Sequence, residues 1–407
     1  MILDITIKNF RSFLYETTFS MEATSTLSKE DNVISIDKIG RVLKSGVIFG
    51  SNAAGKSNFI AFAYRVRAFI LGANSGGTPH VNLYSPFALR DKNTDVSSSF
   101  TMRFIVNGTL YNYHIEVLEK RILKESLACE YGDNNVELLI ERGEEEKEGT
   151  RILYSNRYTE SEIRVELTKN GQSILTPFLY VQTNELSNVA TYFSHIQFDD
   201  LLYFPSGQLD DRIFMLRDWM QHKIERKEKL LQYFQKAGID IKDISFKREP
   251  LRGRLNVYFT HEVYDNNHKI VGVKKFPYEL ESNGTIQLLF YAIRAISALE
   301  TGSPMFADEF NDGLHTQVSQ TLMDMFRSSE TNPKGAQLIA TTHDLYLMDE
   351  NNLRRDQVWF MNKSKEGVSE LYSLVEFQDT TEEIPFAKWY LANRFGASPL
   401  SNHKNNK

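Results

Sequence analysis

The 407-residue sequence predicts an α/β fold: a mixed sheet around a phosphate-binding loop, an antiparallel β lobe, and an inserted helical lobe. Three observations predict it. Val47-Ile48-Phe49 is an apolar strand that runs straight into Gly50-Ser51-Asn52-Ala53-Ala54-Gly55-Lys56-Ser57-Asn58, which satisfies G-x-x-x-x-G-K-[ST] and precedes helix-forming residues. From Phe100 the apolar period falls to two, the mark of antiparallel strands. Far along the chain, two more short apolar strands end in polar groups suited to phosphate chemistry: Met305-Phe306-Ala307-Asp308-Glu309, and Gln337-Leu338-Ile339-Ala340-Thr341-Thr342 before His343.

Taken in order, residues 2–8 alternate as a strand, and Asn9-Phe10-Arg11-Ser12-Phe13 forms a polar and aromatic corner before a strand near Glu16–Phe19. That corner is either a turn with buried phenylalanines or a place where Arg11 meets a nucleotide. Residues 24–42 read as loops around a short strand at Val33–Ile36. A helix is expected from Asn58 to about Leu71, ended by the breaker-rich run from Gly72 to Gly77. Phe100, Met102, Phe104 and Val106 alternate up to Asn107-Gly108, a type I′ turn, and Tyr111, Tyr113, Ile115 and Val117 alternate back. Leu123 to Tyr131 and Val136 to Ile140 extend this hairpin into a meander, and Glu144–Glu148 is a solvated strand connection.

Residues 172–240 read as helical, with one helix over Ile213–Phe234. Arg217, Lys223, Arg226, Lys227 and Lys229 on it form a solvated face, or, in the other reading, a nucleic-acid contact. Asp199-Asp200 and Asp210-Asp211 read as helix-start acids. Strands return near Leu255–Phe259 and Lys269–Val273, and a long helix runs from Ser282-Asn283-Gly284-Thr285 to about Leu299. The domains so defined are an N-terminal half (1–170), a helical insert (171–250), a C-terminal half (251–400), and a polar tail (401–407) expected to be disordered.

Composition narrows the classes. Hydrophobic content of 41% and charged content of 25% belong to a globular protein, and a net charge of −6 argues against a chain that mainly coats nucleic acid while leaving room for a local basic groove. Cys129 is the sole cysteine, so disulfides within the chain and cysteine-built zinc sites are excluded. The N-terminus lacks the pattern of a signal peptide, and the most apolar stretch, Ile286–Ala298, is interrupted by Arg294. No membrane partner is expected, and the expected location is cytoplasmic.

The loop's residue types follow from what a nucleoside triphosphate needs. Gly50 and Gly55 let main-chain N–H groups of Ser51, Asn52, Ala53 and Ala54 face the phosphates, where the following helix adds partial positive charge. Lys56 reaches the β- and γ-phosphates, and the Ser57 hydroxyl suits Mg²⁺. Asp308 and Glu309, at a strand end, are placed to orient Mg²⁺ or its water and to accept a proton from the attacking water, although adjacent acids are also ordinary surface residues. His343 suits a γ-phosphate contact, or a packing role. Ser282 is an N-cap, and the same helix terminus is equally suited to another molecule's γ-phosphate.

These motifs, in this order, resemble ABC-type ATPase heads, and G-S-N-A-A-G-K-S-N with N-F-R-S-F resembles the SMC/RecF branch. More narrowly the chain is similar to compact prokaryotic AAA-type proteins of anti-phage and abortive-infection systems. The resembling text is E-S-N-G-T at 281–285, A-D-E-F-N-D-G-L-H at 307–315, A-T-T-H-D at 340–344, R-R-D-Q-V-W-F at 354–360 and Y-L-A-N-R-F-G-A-S-P at 390–399. The resemblance implies a homodimer or higher oligomer that hydrolyses ATP with Mg²⁺. Arg11 would lie beside the nucleotide, Gly50–Asn58 around its phosphates, and Ser282 and Gly284 would act in trans. Asp308 and Glu309 would serve metal and water, Asn311–Leu314 the dimer interface, and His343 the γ-phosphate.

It further implies control of an effector partner, a nuclease or toxin; the alternative is a DNA repair ATPase acting on DNA. Three departures stand out: no Q-loop glutamine near Ser85–Phe100, S-N-G-T in place of the S-G-G-Q of transporters, and Gly313 where a serine is usual. A transporter subunit is disfavoured by the second. A nuclease fused to the ATPase is disfavoured by the short stretch after Asp308.

Overall fold

The computed structural model describes residues 1–72, 83–91, 96–131, 135–143, 152–158, 172–180, 185–199, 209–248, 255–311 and 313–397. The run Glu144–Glu148, Asp200, the glycine-rich stretch after Gly72 and the tail 401–407 lie outside these residues.

The central sheet has six strands in the order Gln197–Phe198, Met305–Ala307, Leu338–Thr342, Ser45–Gly50, Val358–Lys363 and Ser369–Ser373. The first five are mutually parallel, and the last pairs antiparallel with its neighbour. Strands in such a sheet are covered on both faces, which explains why they read as unbroken apolar runs. Ile48, Phe306, Ile339, Trp359 and Met361 face one core, shared with the β lobe and the helix Lys56–Ile70. Val47, Phe49, Met305, Ala307, Leu338, Ala340, Val358 and Phe360 face the other, shared with the helices Asn283–Thr301 and Thr316–Arg327. Burying one such side chain contributes about 1.5–3 kcal/mol, so the alternation fixes the sheet's register.

The β lobe is a seven-stranded antiparallel sheet that places Ile2–Lys8 between Thr17–Ser20 and the expected meander. Its first hairpin turns on Asn107 (φ 51°) and Gly108 (φ 79°), the pair of left-handed residues that a type I′ turn requires. Glu125 and Arg142 pair at 2.7 Å beneath this sheet, both almost wholly buried.

The 171–250 region differs from the sequence expectation. Helix Glu185–His195 packs under the β lobe, and Gln197–Phe198 joins the central sheet, so this part belongs to the core. The helix expected over Ile213–Phe234 is two, Leu209–His222 and Ile224–Lys236, broken where Lys223 turns extended (φ −148°, ψ 119°). The apolar rhythm had lapsed there, since Ile224 is 81% exposed. The break lets Arg226 reach back to the Trp219 carbonyl at 3.0 Å and to Glu300 at 2.9 Å. Asp210 and Asp211 do open a helix. Next comes a three-stranded sheet, Asp243–Arg248, Leu255–Tyr264 and Ile270–Pro277, which leads into Ser282. Among the described residues no helix is long and apolar enough to cross a membrane.

Candidate functional site

The phosphate loop closes where the strand Ser45–Gly50 hands over to the helix Lys56–Ile70. Both of its glycines are dictated by the neighbouring hairpin. A Cβ on Gly50 would overlap the Met361 carbonyl, and Gly55 sits at φ 115° with the Ser369 hydroxyl where its Cβ would be. Any other residue at Gly55 would be strained twice, by backbone and by contact.

Lys56 is 5% exposed, and its Nζ donates to the Gly50 and Ser51 carbonyls at 3.0 Å each while lying 3.0 Å from His343 Nε2. Burial, opposed in part by Asp308 and Glu309, lowers the Lys56 ammonium to about 8. Burial and the Lys56 charge also push His343 below its ordinary range, so the imidazole is neutral and accepts from lysine. At the loop's other end Arg11 donates to Asn58 Oδ1 at 3.1 Å, and Asn58 donates to the Ser12 hydroxyl at 2.8 Å. The corner at Asn9–Phe13 is a turn with Phe10 and Phe13 fully buried, and it brings Arg11 to the last residue of the loop.

Asp308 and Glu309 follow the strand Met305–Ala307 in the expected way. Asp308 is 3% exposed; its Oδ1 accepts from the Thr341 hydroxyl, and its Oδ2 has no partner among the described residues. Glu309 is exposed, at φ 47°, and its N–H donates to Thr341 Oγ1 at 3.0 Å. A left-handed glutamate is a small store of backbone strain, of the kind that collects at working sites.

One residue is corrected. Asp199 stands immediately after the strand Gln197–Phe198 that pairs with Met305–Ala307, is 3% exposed, and its Oδ2 accepts from the Asp308 N–H at 2.7 Å, so it belongs to the site beside Asp308 and not only to a helix start. Tyr291, on the helix that Ser282 caps, donates its hydroxyl to Asp199 Oδ2 and to the Asp308 carbonyl, both at 3.3 Å. Burial raises the Asp199 carboxyl to about 7. The sequence did carry a signal: Ile196-Gln197-Phe198-Asp199-Asp200 is a short apolar run followed by two acids, the same pattern as Met305-Phe306-Ala307-Asp308-Glu309. Among the described residues, the carboxylate beside Asp308 is that of Asp199.

The walls of a cavity of about 490 Å³ are Asn52–Asn58, Glu309, His343 and Lys363. Lys363 was not foreseen. Ser282 and Gly284 are not in these walls. Ser282 caps its helix by accepting from the Thr285 N–H at 3.1 Å, and Ser282 and Asn283 are exposed. Gly284 packs on the residue that departs from the usual serine: a Cβ on it would lie 2.9 Å from the Gly313 carbonyl. Gly313 itself has φ 66° and the Gln287 amide in the place of a Cβ, so no serine fits.

The residues present suit a magnesium ion held largely by a nucleotide. Among the described residues no group of three or more His, Cys, Asp and Glu makes a metal site alone, yet Asp308 Oδ2 is buried and unpartnered and the Ser57 residue is exposed. Mg²⁺ with nucleotides takes one or two protein oxygens and leaves the rest to phosphate and water.

Two solved structures are similar in outline. The SMC head domain from Thermotoga maritima is 14% identical, with 91% of this chain and 98% of that chain covered and a TM-score of 0.43. An SMC head bound to the C-winged helix domain of ScpA is 12% identical, with 91% of this chain and 97% of that chain covered and a TM-score of 0.47. No curated protein matches. The family model described as AAA domain, putative AbiEii toxin, Type IV TA system matches residues 47–349, which take in the phosphate loop, Asp308-Glu309 and His343. The chain therefore belongs to that AAA-domain family, with the α/β fold of a P-loop NTPase.

Proposed function

We propose that the protein is an ATP-dependent dimeric switch, in which two chains pair head to tail and each sandwiches Mg·ATP between its own phosphate loop and the Ser282–Thr285 helix start of the other. The composition of the cavity carries this reading. Its walls are the phosphate loop, Glu309, His343 and Lys363, which would meet one side of a triphosphate, while a 19-residue helix presents an exposed N-terminus elsewhere. That terminus offers N–H groups and a dipole to an anion.

In this reading Ser51–Ala54 wrap the phosphates and Lys56 binds the β- and γ-oxygens. Asp308 Oδ2 and the Ser57 hydroxyl are the groups that would hold Mg²⁺, which supplies charge neutralisation on the phosphate chain. Glu309 receives the proton of the attacking water. A γ-phosphate would give Lys56 a better acceptor than His343 Nε2, which lies 3.0 Å from its Nζ, and would let the imidazole donate instead of accept. The dimer would hold or release an effector, a nuclease or toxin in anti-phage defence, in keeping with the AbiEii-related description of the family. The basic residues of the helical insert support no separate nucleic-acid role, since Lys223, Arg226 and Lys229 gather on Glu300 and Lys227 pairs with Asp243.

The test is complementation between two inactive variants, Glu309→Gln and Ser282→Arg. Mixed dimers contain one doubly broken site and one intact site if Ser282 acts across the interface, so mixing restores hydrolysis. If Ser282 serves its own chain's nucleotide, every mixed site stays broken and the reading fails. Stimulation of the wild type by DNA would instead favour an ATPase that works on DNA.

A further inference from the structure

We propose that Lys363 is a nucleotide-binding residue whose ammonium meets the phosphate chain at its α/β end, across the loop from His343. The inference rests on the ATP site proposed above. Two strands flank Ser45–Gly50: Leu338–Thr342, which delivers His343, and Val358–Lys363, which ends at Lys363. His343 and Lys363 therefore stand on opposite flanks of one loop, and both line its cavity. Since the Lys56–His343 pair marks the γ-phosphate flank, the other flank faces the remainder of the chain of phosphates.

The position of Lys363 is fixed by contacts that leave little play. Met361 lies opposite Gly50 and its carbonyl occupies the space a Cβ would need. Two residues further on, Lys363 projects to the same face as Met361, level with the turn of the loop. Its cross-strand partner is Ser369, whose hydroxyl donates to the Ala54 carbonyl at 2.5 Å and whose N–H donates to the Ser12 carbonyl at 2.7 Å. The hairpin Val358–Ser373 is thus bolted to the loop on both sides of the lysine. Among the described residues Lys363 has no carboxylate partner, so its charge is unclaimed. A nucleoside phosphate chain carries more negative charge than Lys56 alone offsets, and a second lysine at close range adds a charge-assisted contact.

Equilibrium binding of Mg·ATP and Mg·ADP to wild type, Lys363→Ala, Lys363→Arg and His343→Ala tests this. Loss of a charge-assisted contact corresponds to about tenfold in affinity. Lys363→Ala should weaken ATP and ADP by the same factor, Lys363→Arg should recover most of it, and His343→Ala should weaken ATP alone. Unchanged affinity in Lys363→Ala, or a loss confined to ATP, overturns the assignment while leaving the ATP site standing. Failure of the wild type to bind either nucleotide would remove both. Melting curves of the variants show that the fold is intact in each comparison.

Discussion

Replacing Lys56 by methionine should abolish nucleotide binding and yet make the empty protein more stable. The side chain is 5% exposed and burial holds its ammonium at about 8 instead of the ordinary 10.5. For a base with a lowered folded pKa, stability is fully present above the unfolded value and is lost as pH falls through the folded one. At pH 7 the charged lysine therefore burdens the fold. At about 1.36 kcal/mol per unit the burden is at most about 3 kcal/mol. The hydrogen bonds to the Gly50 and Ser51 carbonyls return about 1 kcal/mol each, leaving a net gain of about 1 kcal/mol for Lys56→Met. Methionine keeps the buried stem, so no cavity term enters.

The assay is thermal melting without nucleotide at pH 7 and pH 9.5. The variant should melt about 1–3 °C above wild type at pH 7, and the gap should close by pH 9.5. Saturating Mg·ATP should reverse the order, because a ligand at a hundred times its Kd adds about 2.7 kcal/mol to the wild type alone. A variant that melts below wild type at pH 7, with no change in the gap at pH 9.5, would refute the claim that the loop holds its lysine at a cost.

Three other outcomes follow from the same geometry. Asp199, raised by burial from 3.8 to about 7, gives stability that is present below pH 4 and lost as pH rises through 7. Urea melts with a chelator present should show wild type losing roughly 2–4 kcal/mol across that window and Asp199→Asn losing almost none of it. Glu309→Gln should bind Mg·ATP, hydrolyse it about a hundredfold to ten-thousandfold more slowly, and accumulate as dimer on a sizing column. Arg354 is wholly buried, forked onto Asp356 at 2.9 and 2.7 Å, and bonded to the Thr26 and Ser28 carbonyls. Arg354→Ala should cost about 3–5 kcal/mol in urea melts, because Asp356 is left charged and buried.

What could be read from the chain alone was whatever the chain keeps local. Gly50–Asn58, Asp308-Glu309 and the Ser282 cap each lie within one strand-to-loop or loop-to-helix step, so residue type and spacing define them completely. The meander was legible for the same reason, through period two and an Asn-Gly turn. The residues that went unread are those assembled by pairing between distant strands. Asp199 reaches Asp308 from 109 positions away, and Ser369 reaches Ala54 from 315. The stretch 354–360 carried a resemblance without a role; in the fold its arginine clamps the loop around Thr24–Ser28 onto the sheet.

The long-range residues also explain how a site that gathers several individually unfavourable features persists. Lys56 is charged and buried, Asp199 is buried against Asp308, Asp308 Oδ2 lacks a partner, and Glu309 and Ala53 hold left-handed backbone at φ 47° and 61°. Each feature costs on the order of 1–3 kcal/mol. None could be held by the loop's own few residues. The hairpin Val358–Ser373 fixes both glycines from outside, and Tyr291 and Thr341 fix the acids from neighbouring elements. A ligand with phosphate oxygens and a divalent cation would relieve most of these defects together. Because Tyr291 lies on the helix that begins at Ser282, relief at Asp308 bears directly on the element proposed to reach the second chain.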